Sequence, residues 1–486
     1  MRLLGAPAAR WTALLGGALA WRLILFVGAQ GSDDLAYSEA AWTLASGHLP
    51  FDQGIHGLRI GYVGAIGALY ALFGAGTFTL VLVNLVASVG EVALVRLLAR
   101  EFLDESGAWL AALLVAILPV HVFHATEAHP DVPAAALTTL AALLFVRARK
   151  TDAVPFYLLS GVALGAAQLM KESSFLGLGA LAALAGPFRL RALLPLAGFA
   201  AVEIVEAGFF WAAAGDPLLR IHRVKDMQSA IMGSEFYLSA APTFRRLVID
   251  VPAMFFWPGN GQFAFFGLLP LLAATGGVQA LCRREAALRG PLLWAVGLTA
   301  LIVFWPISIA PYRPAMVAFP RVFLPIAPPL AILAAGLLRK ASPRVAGSAI
   351  AAVSVAALGG ALLLHWDARR MSVAARIAHP ATGDLAVVSD PRTLQFFRLF
   401  DGYKPCRPLV LWTDAAPGGP HYRVVNSLWI RNLREWNGTP APPGFADPGV
   451  LPFRTETIPG RVRLGALLGG RIEHVGSEEL RIFRMP

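Results

Sequence analysis

Twelve apolar segments, each near the length a helix needs to cross a bilayer, fill residues 10–364 of this 486-residue chain. They lie at 10–29, 58–74, 77–98, 107–123, 132–147, 154–170, 172–187, 192–213, 262–281, 290–310, 321–338 and 343–364. An α-helix rises about 1.5 Å per residue, so about 20 residues span a hydrocarbon core of about 30 Å. Within that core every backbone amide and carbonyl must be bonded inside the protein, which only helices and closed barrels achieve. A barrel would show alternation over segments of about ten residues, not continuous runs. The fold class is therefore a polytopic α-helical membrane protein. Residues 366–486 have the patterning of ordinary soluble protein. The expected division is a transmembrane domain over 1–365 and a soluble domain over 366–486. Hydrophobic residues make up 57% of the chain and charged residues 15%, against roughly 45–50% and 25% in soluble proteins. That balance excludes a soluble enzyme, a nucleic-acid-binding module and a disordered scaffold.

The number of crossings turns on residues 58–74. If they crossed, the clusters Arg96/Arg100 and Arg147/Arg149/Lys150 would fall outside. Laid in the interface, they leave both clusters inside, together with Arg189/Arg191, Arg283/Arg284/Arg289 and Arg339/Lys340/Arg344. Cytoplasmic loops are enriched in Lys and Arg. The sequence thus predicts about eleven transmembrane helices, an interfacial helix at 58–74, a cytoplasmic amino terminus and an outside tail. The net charge of +11 records this topology and implies no nucleic-acid partner. Residues 1–29 contain Arg22 and lack a clear small-residue cleavage site, so the first helix is expected to stay attached.

The same threading sorts the loops by chemistry. Inside loops are short and basic, whereas outside loops collect carboxylates, histidines and aromatics. The first holds Asp33, Asp34, Tyr37, Glu39, His48, Asp52 and His56, and a second holds His121, His124, Glu127, His129 and Asp131. Arg220, Arg223 and Lys225 lie in a third, and Tyr312 and Arg313 in a short turn. After the first crossing, Leu35, Ala40, Ala41, Leu44 and Ala45 recur at helical spacing, which predicts an amphipathic helix with Ser32 or Asp33 at its cap. Asp33 and Asp34 are then either capping acids or functional carboxylates.

The run Asp33-Asp34, Tyr37, Glu39, Ala40, Leu44, Gly47 resembles the first-loop motif of GT-C membrane glycosyltransferases. The nearest branch is that of protein O-mannosyltransferases and bacterial aminoarabinose transferases. Further points of resemblance are Leu72-Phe73-Gly74 after the interfacial segment, Pro119, Asp131, Lys171, and the run FPRVFLPIAPPLAILAAG from Phe319 to Gly336. Together they cover roughly residues 10–340. Two departures stand out. Relatives usually carry Asp-Glu where this chain has Asp33-Asp34, and Glu-Lys-Pro or Pro-Pro where it reads HGLRIGY with His56 and Arg59.

The resemblance implies an inverting glycosyltransferase of the bacterial inner membrane, with its C-terminal domain periplasmic or extracellular. It would move a sugar from a polyprenyl-phosphate carrier to an acceptor hydroxyl on a glycan, lipid or protein. Asp33 is the implied general base, because an acceptor hydroxyl is a weak nucleophile. Asp34 would orient the acceptor or hold Asp33, and Asp131 would complete the carboxylate set. Lys171 and Arg321, with Arg59, would meet the donor phosphate, whose oxygens gain negative charge on departure. Tyr37, His56, Arg223, Tyr312 and Arg313 are candidates for acceptor or lipid contact. No cofactor is required, although a divalent cation is admissible. The spacing of His121, His124, Glu127 and His129 matches no familiar zinc pattern.

Arg22, Glu91, Glu203 and Glu206 lie inside apolar runs, where charges either serve a function or pair with one another. Pairing is the expectation here. The tail alternates strand-like runs (LAVVS, PLVLW, YRVVNS, ELRIFRM) with one helical run after SDPRT, which predicts a small α/β or α+β domain. Two other classes fit the apolar pattern: a transporter or lipid flippase, with charges lining a path through the spans, and a non-catalytic envelope assembly protein.

Overall fold

The computed structural model describes residues 7–187, 189–232, 249–258, 260, 262–309, 312–314, 319–404, 406–415, 417–437, 440–443, 445–446, 450, 452–458, 461–462, 474–475 and 478–486. Each predicted apolar run forms helix. The first is α1 (Pro7–Ile24), followed by α2 (Asp33–Ala45), the short α3 (Gly54–Leu58) and α4 (Ile60–Phe73). Next come α5 (Thr77–Ala99), α6 (Glu105–Ile117), α7 (Pro119–His124), α8 (Asp131–Thr151), α9 (Val154–Met170), α10 (Gly177–Leu184) and α11 (Leu194–Ala214). The chain continues through α12 (Leu219–Met232), α13 (Val251–Phe256), α14 (Phe263–Phe266), α15 (Leu269–Cys282), α16 (Ala286–Phe304) and α17 (Ala327–Leu338). A hairpin of β1 (Pro306–Ile309) and β2 (Tyr312–Pro314) lies between α16 and α17.

Six of the eleven expected crossings are helices of at least 18 residues that are apolar enough to span a membrane. The other five runs form α1, which carries Arg10 and Arg22, and helices that are shorter or broken in two. Residues 107–123, for example, break at Leu118, whose extended backbone precedes Pro119, because proline disfavours helical geometry in the residue before it.

Residues 58–74 behave as the charge bias requires. A bend of 99° at Arg59 separates residues 51–58 from α4. Arg59 lies beside Glu172, and at the other end of α4 the Ala75 carbonyl contacts Gly402 of the C-terminal domain. Both ends of α4 are therefore on one side of the bundle, from which α5 runs about 34 Å to the opposite side. There Arg96 pairs with Glu105, Arg147 and Lys150 with Glu101, Arg339 with Asp104, and Lys340 with Glu285. The basic clusters are thus gathered on the face away from Asp33.

Of the intramembrane charges, Arg22, Glu91 and Glu206 have partners, whereas Glu203 of α11 makes no ion pair among the described residues and its Oε1 is buried without a hydrogen bond. Arg22 donates to Ser88, to the Ala18 and Ala116 carbonyls and to His121 Nδ1, while His121 Nε2 lies 2.7 Å from Glu91. Since arginine can only donate, Nδ1 accepts and Nε2–H faces the carboxylate. Glu206 pairs with Arg220 at 2.9 Å.

The last membrane helix, α18 (Pro343–Ala381), runs 39 residues without a break, passing through residue 365 into the C-terminal domain. That domain is a five-stranded sheet of β3 (Ala386–Ser389), β4 (Leu409–Leu411), β5 (His421–Asn426), β6 (Arg454–Ile458) and β9 (Glu478–Met485), with two-residue strands β7 (Arg461–Val462) and β8 (His474–Val475) pairing separately. The order is β4-β3-β5-β9-β6, parallel across the first three strands and antiparallel after. Helices α19 (Pro391–Phe400) and α20 (Ser427–Asn437) complete it. The four strand-like runs and the helix after SDPRT are all present, in an α/β arrangement.

Small residues set the closest helix contacts, as expected where helices meet in lipid. A β-carbon on Gly161 of α9 would collide with the Pro195 carbonyl of α11, and one on Gly198 with the Leu158 carbonyl, whereas one on Gly208 would meet nothing within 4 Å. Gly161→Val is expected to destabilise the bundle by about 1–3 kcal/mol or more through overpacking. Gly208→Ala should leave it unchanged or up to about 1 kcal/mol more stable. Thermal unfolding in detergent measures both.

Candidate active site

Five separate chain segments bring charged side chains to the end of the bundle that faces the C-terminal domain. The first is the loop between α1 and α2. Its backbone is tied to the α7–α8 loop by Val27 N–H and Gly28 N–H, which donate to the Thr126 hydroxyl and carbonyl at 3.0 and 2.9 Å. Gly31 adopts φ +89°, a left-handed conformation that glycine takes without strain. This turn aims the amides of Gln30, Gly31 and Ser32 at Asp34, which accepts them at 2.5, 3.3 and 2.6 Å. Asp34 is fully buried, and burial, the largest influence on it, pushes its pKa up while these amides oppose the rise. Ser32 occupies the N-cap position of α2 without a side-chain cap bond. Asp34 therefore braces the turn and faces away from solvent.

Asp33, one residue earlier, points into the site with 39% of its side chain exposed. His56 Nε2 lies 3.5 Å from one oxygen and Arg321 Nη2 3.3 Å from the other. Desolvation favours the neutral acid, but the His56 hydrogen bond and the nearby His129 and Arg321 outweigh it. Together they hold Asp33 well below the usual carboxylate range.

Arg321 enters from a proline-bounded 3-10 turn, Pro320–Ile326, which leads into α17. Its Nη1 lies 3.0 Å from the His129 ring, and His129 in turn lies 3.0 Å from Glu127. Glu127 also binds His124, and both histidines help hold its carboxyl below the usual range against burial. The loop carrying these residues is pinned by the buried Asn84, whose amide donates to the His124 and His129 carbonyls at 3.2 and 2.6 Å. Tyr62 donates to Asn84 Oδ1 at 2.8 Å.

Two further ion pairs complete the site. Lys171, where α9 ends in extended backbone, is bonded to Asp131 at the first residue of α8. Arg59 grips Glu172 through two bonds of 2.6 and 2.9 Å and donates to the Tyr37 hydroxyl. Between Arg321 and Lys171 opens a cavity lined by Asp131, Lys171, Ser173, Ser174 and Arg321, with Leu298 and Ile302 of α16 behind them.

The sequence-selected residues thus separate into groups. Asp131, Lys171 and Arg321 line one cavity, and Asp33 and His56 lie beside it through the Asp33 pair with Arg321. Tyr37 is fully buried with its hydroxyl engaged, and Arg59 has its fork occupied by Glu172. Arg223 is exposed on α12. Tyr312 and Arg313 belong to β2, and their side chains lie outside the described residues. His124 and His129 share Glu127 while His121 pairs with Glu91, and among the described residues no group of three or more His, Cys, Asp or Glu is placed to hold a metal ion. Glu172, Ser173 and Ser174 were not singled out from sequence. The available signal was the pair Lys171-Glu172 at the mouth of an apolar run.

Residues 60–204 match the family described as dolichyl-phosphate-mannose-protein mannosyltransferase. Among solved structures, the chain is similar to ArnT from Cupriavidus metallidurans in the apo state, with 17% identity, 98% of both chains covered and a TM-score of 0.57. It is also similar to ArnT bound to undecaprenyl phosphate, with 15% identity, 98% of both chains covered and a TM-score of 0.56. A search of curated proteins finds no significant match. The family match and the shared fold agree with the resemblance carried by the carboxylate loop.

Two outcomes follow from this geometry. Because Asp33 has a lower pKa folded than unfolded, its stabilising contribution is complete above about pH 4 and is lost as pH falls further. Asp33→Asn should therefore leave the pH dependence of unfolding unchanged between about pH 5 and 8 and flatten it below about pH 4. Lys171→Met strands a buried carboxylate and should destabilise by about 3–5 kcal/mol. Adding Asp131→Asn should recover most of that loss, as read by denaturant unfolding of the double variant.

Proposed function

We propose that this protein is a membrane glycosyltransferase that transfers a sugar from a polyprenyl-phosphate carrier to an acceptor hydroxyl, with inversion. The carrying observation is a cavity lined by Asp131, Lys171 and Arg321, from three segments distant in sequence, with Asp33 of a fourth segment paired to Arg321 at 3.3 Å. The similarity in fold to ArnT bound to undecaprenyl phosphate supports a polyprenyl-phosphate carrier.

In this reading Asp33 accepts the proton of the acceptor hydroxyl as its oxygen attacks the anomeric carbon. The bond from that carbon to the phosphate oxygen breaks, and the carrier leaves as a phosphate monoester with one more negative charge. Lys171 and Arg321 face that charge, so no general acid is needed. In the resting arrangement His56, His129 and Arg321 together hold Asp33 in a weakly basic state. A donor phosphate drawing the guanidinium towards itself would release the carboxylate and strengthen it as a base. Ser173 and Ser174 offer hydroxyls to the same phosphate.

The isoprenoid chain has an apolar path available. Leu298 and Ile302 of α16 line the polar cavity, while Gly297, Leu301 and Phe304 of the same helix line an apolar hollow shared with Gly179 and Ala183 of α10. Headgroup and chain would thus lie against adjacent faces of one helix. Arg22, His121 and Glu91 are closed on one another within the spans, and the remaining charged side chains of the site gather at one face, which weighs against a transporter. The site would face the periplasm of a bacterial inner membrane, opposite the basic clusters. The acceptor would be a glycan, lipid or protein hydroxyl.

The test is transfer from radiolabelled polyprenyl-phosphate sugars by purified protein in nanodiscs. Asp33→Asn should lower the rate by about 10²–10⁴ and Arg321→Met by about 10²–10³, with donor binding retained by Asp33→Asn. Undiminished transfer by Asp33→Asn would overturn its role as base, and no transfer from any such donor would overturn the reading.

A further inference from the structure

The carboxylate loop does not belong to the membrane bundle's core. Apolar residues of α2, including Leu35, Tyr37, Ala40 and Ala41, share one continuous cluster with Phe396, Phe397, Leu399, Leu428 and Trp429 of the C-terminal domain. Tyr62, Val63, Ile66 and Tyr70 of α4 and Leu80 and Val81 of α5 also belong to it, while most other buried residues of the spans form a separate cluster. Contacts from the C-terminal domain fall on both sides of Asp33 and Asp34 in sequence. Before them, Arg376 of α18 donates to the Val27 carbonyl at 3.3 Å. At Gly31, a β-carbon would collide with the Trp429 indole and lie 2.8 Å from Phe396. After them, the Tyr403 hydroxyl lies 2.7 Å from Ser38 Oγ, which is 2.8 Å from the Tyr70 hydroxyl. The Tyr403 ring stacks on Trp42 with centroids 5.4 Å apart, and Arg398 and Gln395 reach Glu39 at 3.2 Å.

From this we infer that the C-terminal domain is a positioning part of the catalytic machinery, with Trp429, Phe396 and Tyr403 holding the loop that presents Asp33. The proposal rests on the glycosyltransferase reading for its catalytic meaning, and on packing alone for its structural one. Trp429 is buried, and its indole N–H donates to the Met371 carbonyl at 3.1 Å. That bond anchors it to α18 while its ring covers Gly31. Gly31 is one of the three amides that bind Asp34, so the indole presses directly on the turn that sets the direction of Asp33. A shift of about 1 Å in a reacting group can lower a rate about 10²-fold. Packing at this distance from the chemistry is therefore enough to govern turnover.

The experiment compares full-length wild type, Trp429→Ala, Trp429→Phe and Trp412→Ala in nanodiscs by hydrogen–deuterium exchange and by donor-dependent kinetics. Trp412 packs with Phe445 in a separate apolar cluster of the same domain, so its variant reports on loosening of the domain in general. Trp429→Ala should accelerate exchange at residues 30–32 by about tenfold or more while α5 and α8 keep their protection. It should also lower kcat by about tenfold or more with donor KM within about threefold, because the donor pocket is untouched. Trp429→Phe should restore most of both, and Trp412→Ala should leave exchange at 30–32 unchanged. Unchanged exchange in Trp429→Ala, equal acceleration by Trp412→Ala, or faster exchange with undiminished kcat would each overturn the inference. A wild type that transfers no sugar would instead overturn the functional reading, and exchange at 30–32 would still decide whether the domain holds the loop.

Discussion

Charge held at the edge of an apolar bundle must be paired, and that constraint organises this protein. Removing a carboxylate or an ammonium group from water is strongly unfavourable unless an opposite charge and hydrogen bonds replace the solvent. Every cation drawn into the candidate site accordingly has a carboxylate: Arg59 has Glu172, Lys171 has Asp131, and Arg321 has Asp33. Of these carboxylates Asp33 is the most exposed, at 39%, and its two partners lie at the longest distances. The pairing is loosest where a reacting group would have to be freed.

The helices serve this arrangement by holding segments that cannot be held by sequence proximity. Asn84 fastens the His124–His129 loop from below, Tyr62 fastens Asn84, and the prolines around Arg321 fix where its turn begins. The site is thus assembled from loops, but each loop is bonded to a buried side chain of a helix. The charges deeper in the bundle, Arg22, Glu91 and His121, hold α1, α5 and α7 together without joining the site.

Much of this was legible in the residues. Continuous apolar runs announce helices because lipid leaves the backbone no other partner, and charge bias marked residues 58–74 as different from the rest. Four strands of the tail were legible from β-branched alternation, but not the two-residue β7 and β8 nor β6, whose Arg454-Thr455-Glu456-Thr457-Ile458 is too polar to signal itself. Asp33, Asp131, Lys171 and Arg321 stood out through the family resemblance and the order of its motifs, and the fold brings them near one another. What sequence could not supply was division of labour. Asp33 and Asp34 are adjacent and chemically alike, yet one opens into the site and the other is consumed by three amides, a distinction created by the turn at Gly31. Arg59 looked free until folding brought Glu172 to it from 113 positions away, and only long-range packing reveals such a partner.

The unbroken helix α18 gives the molecule a mechanical property. Its 39 residues make a strut of about 58 Å, nearly twice the thickness of a bilayer core, rooted in lipid at one end and in the C-terminal sheet at the other. A membrane thinner or thicker than the helix prefers is accommodated by tilt. Because this helix does not end at the interface, such tilt swings the sheet above it as a lever. Tilt of this strut would carry the C-terminal domain with it, and with the domain the Trp429 indole packed on the turn at Gly31.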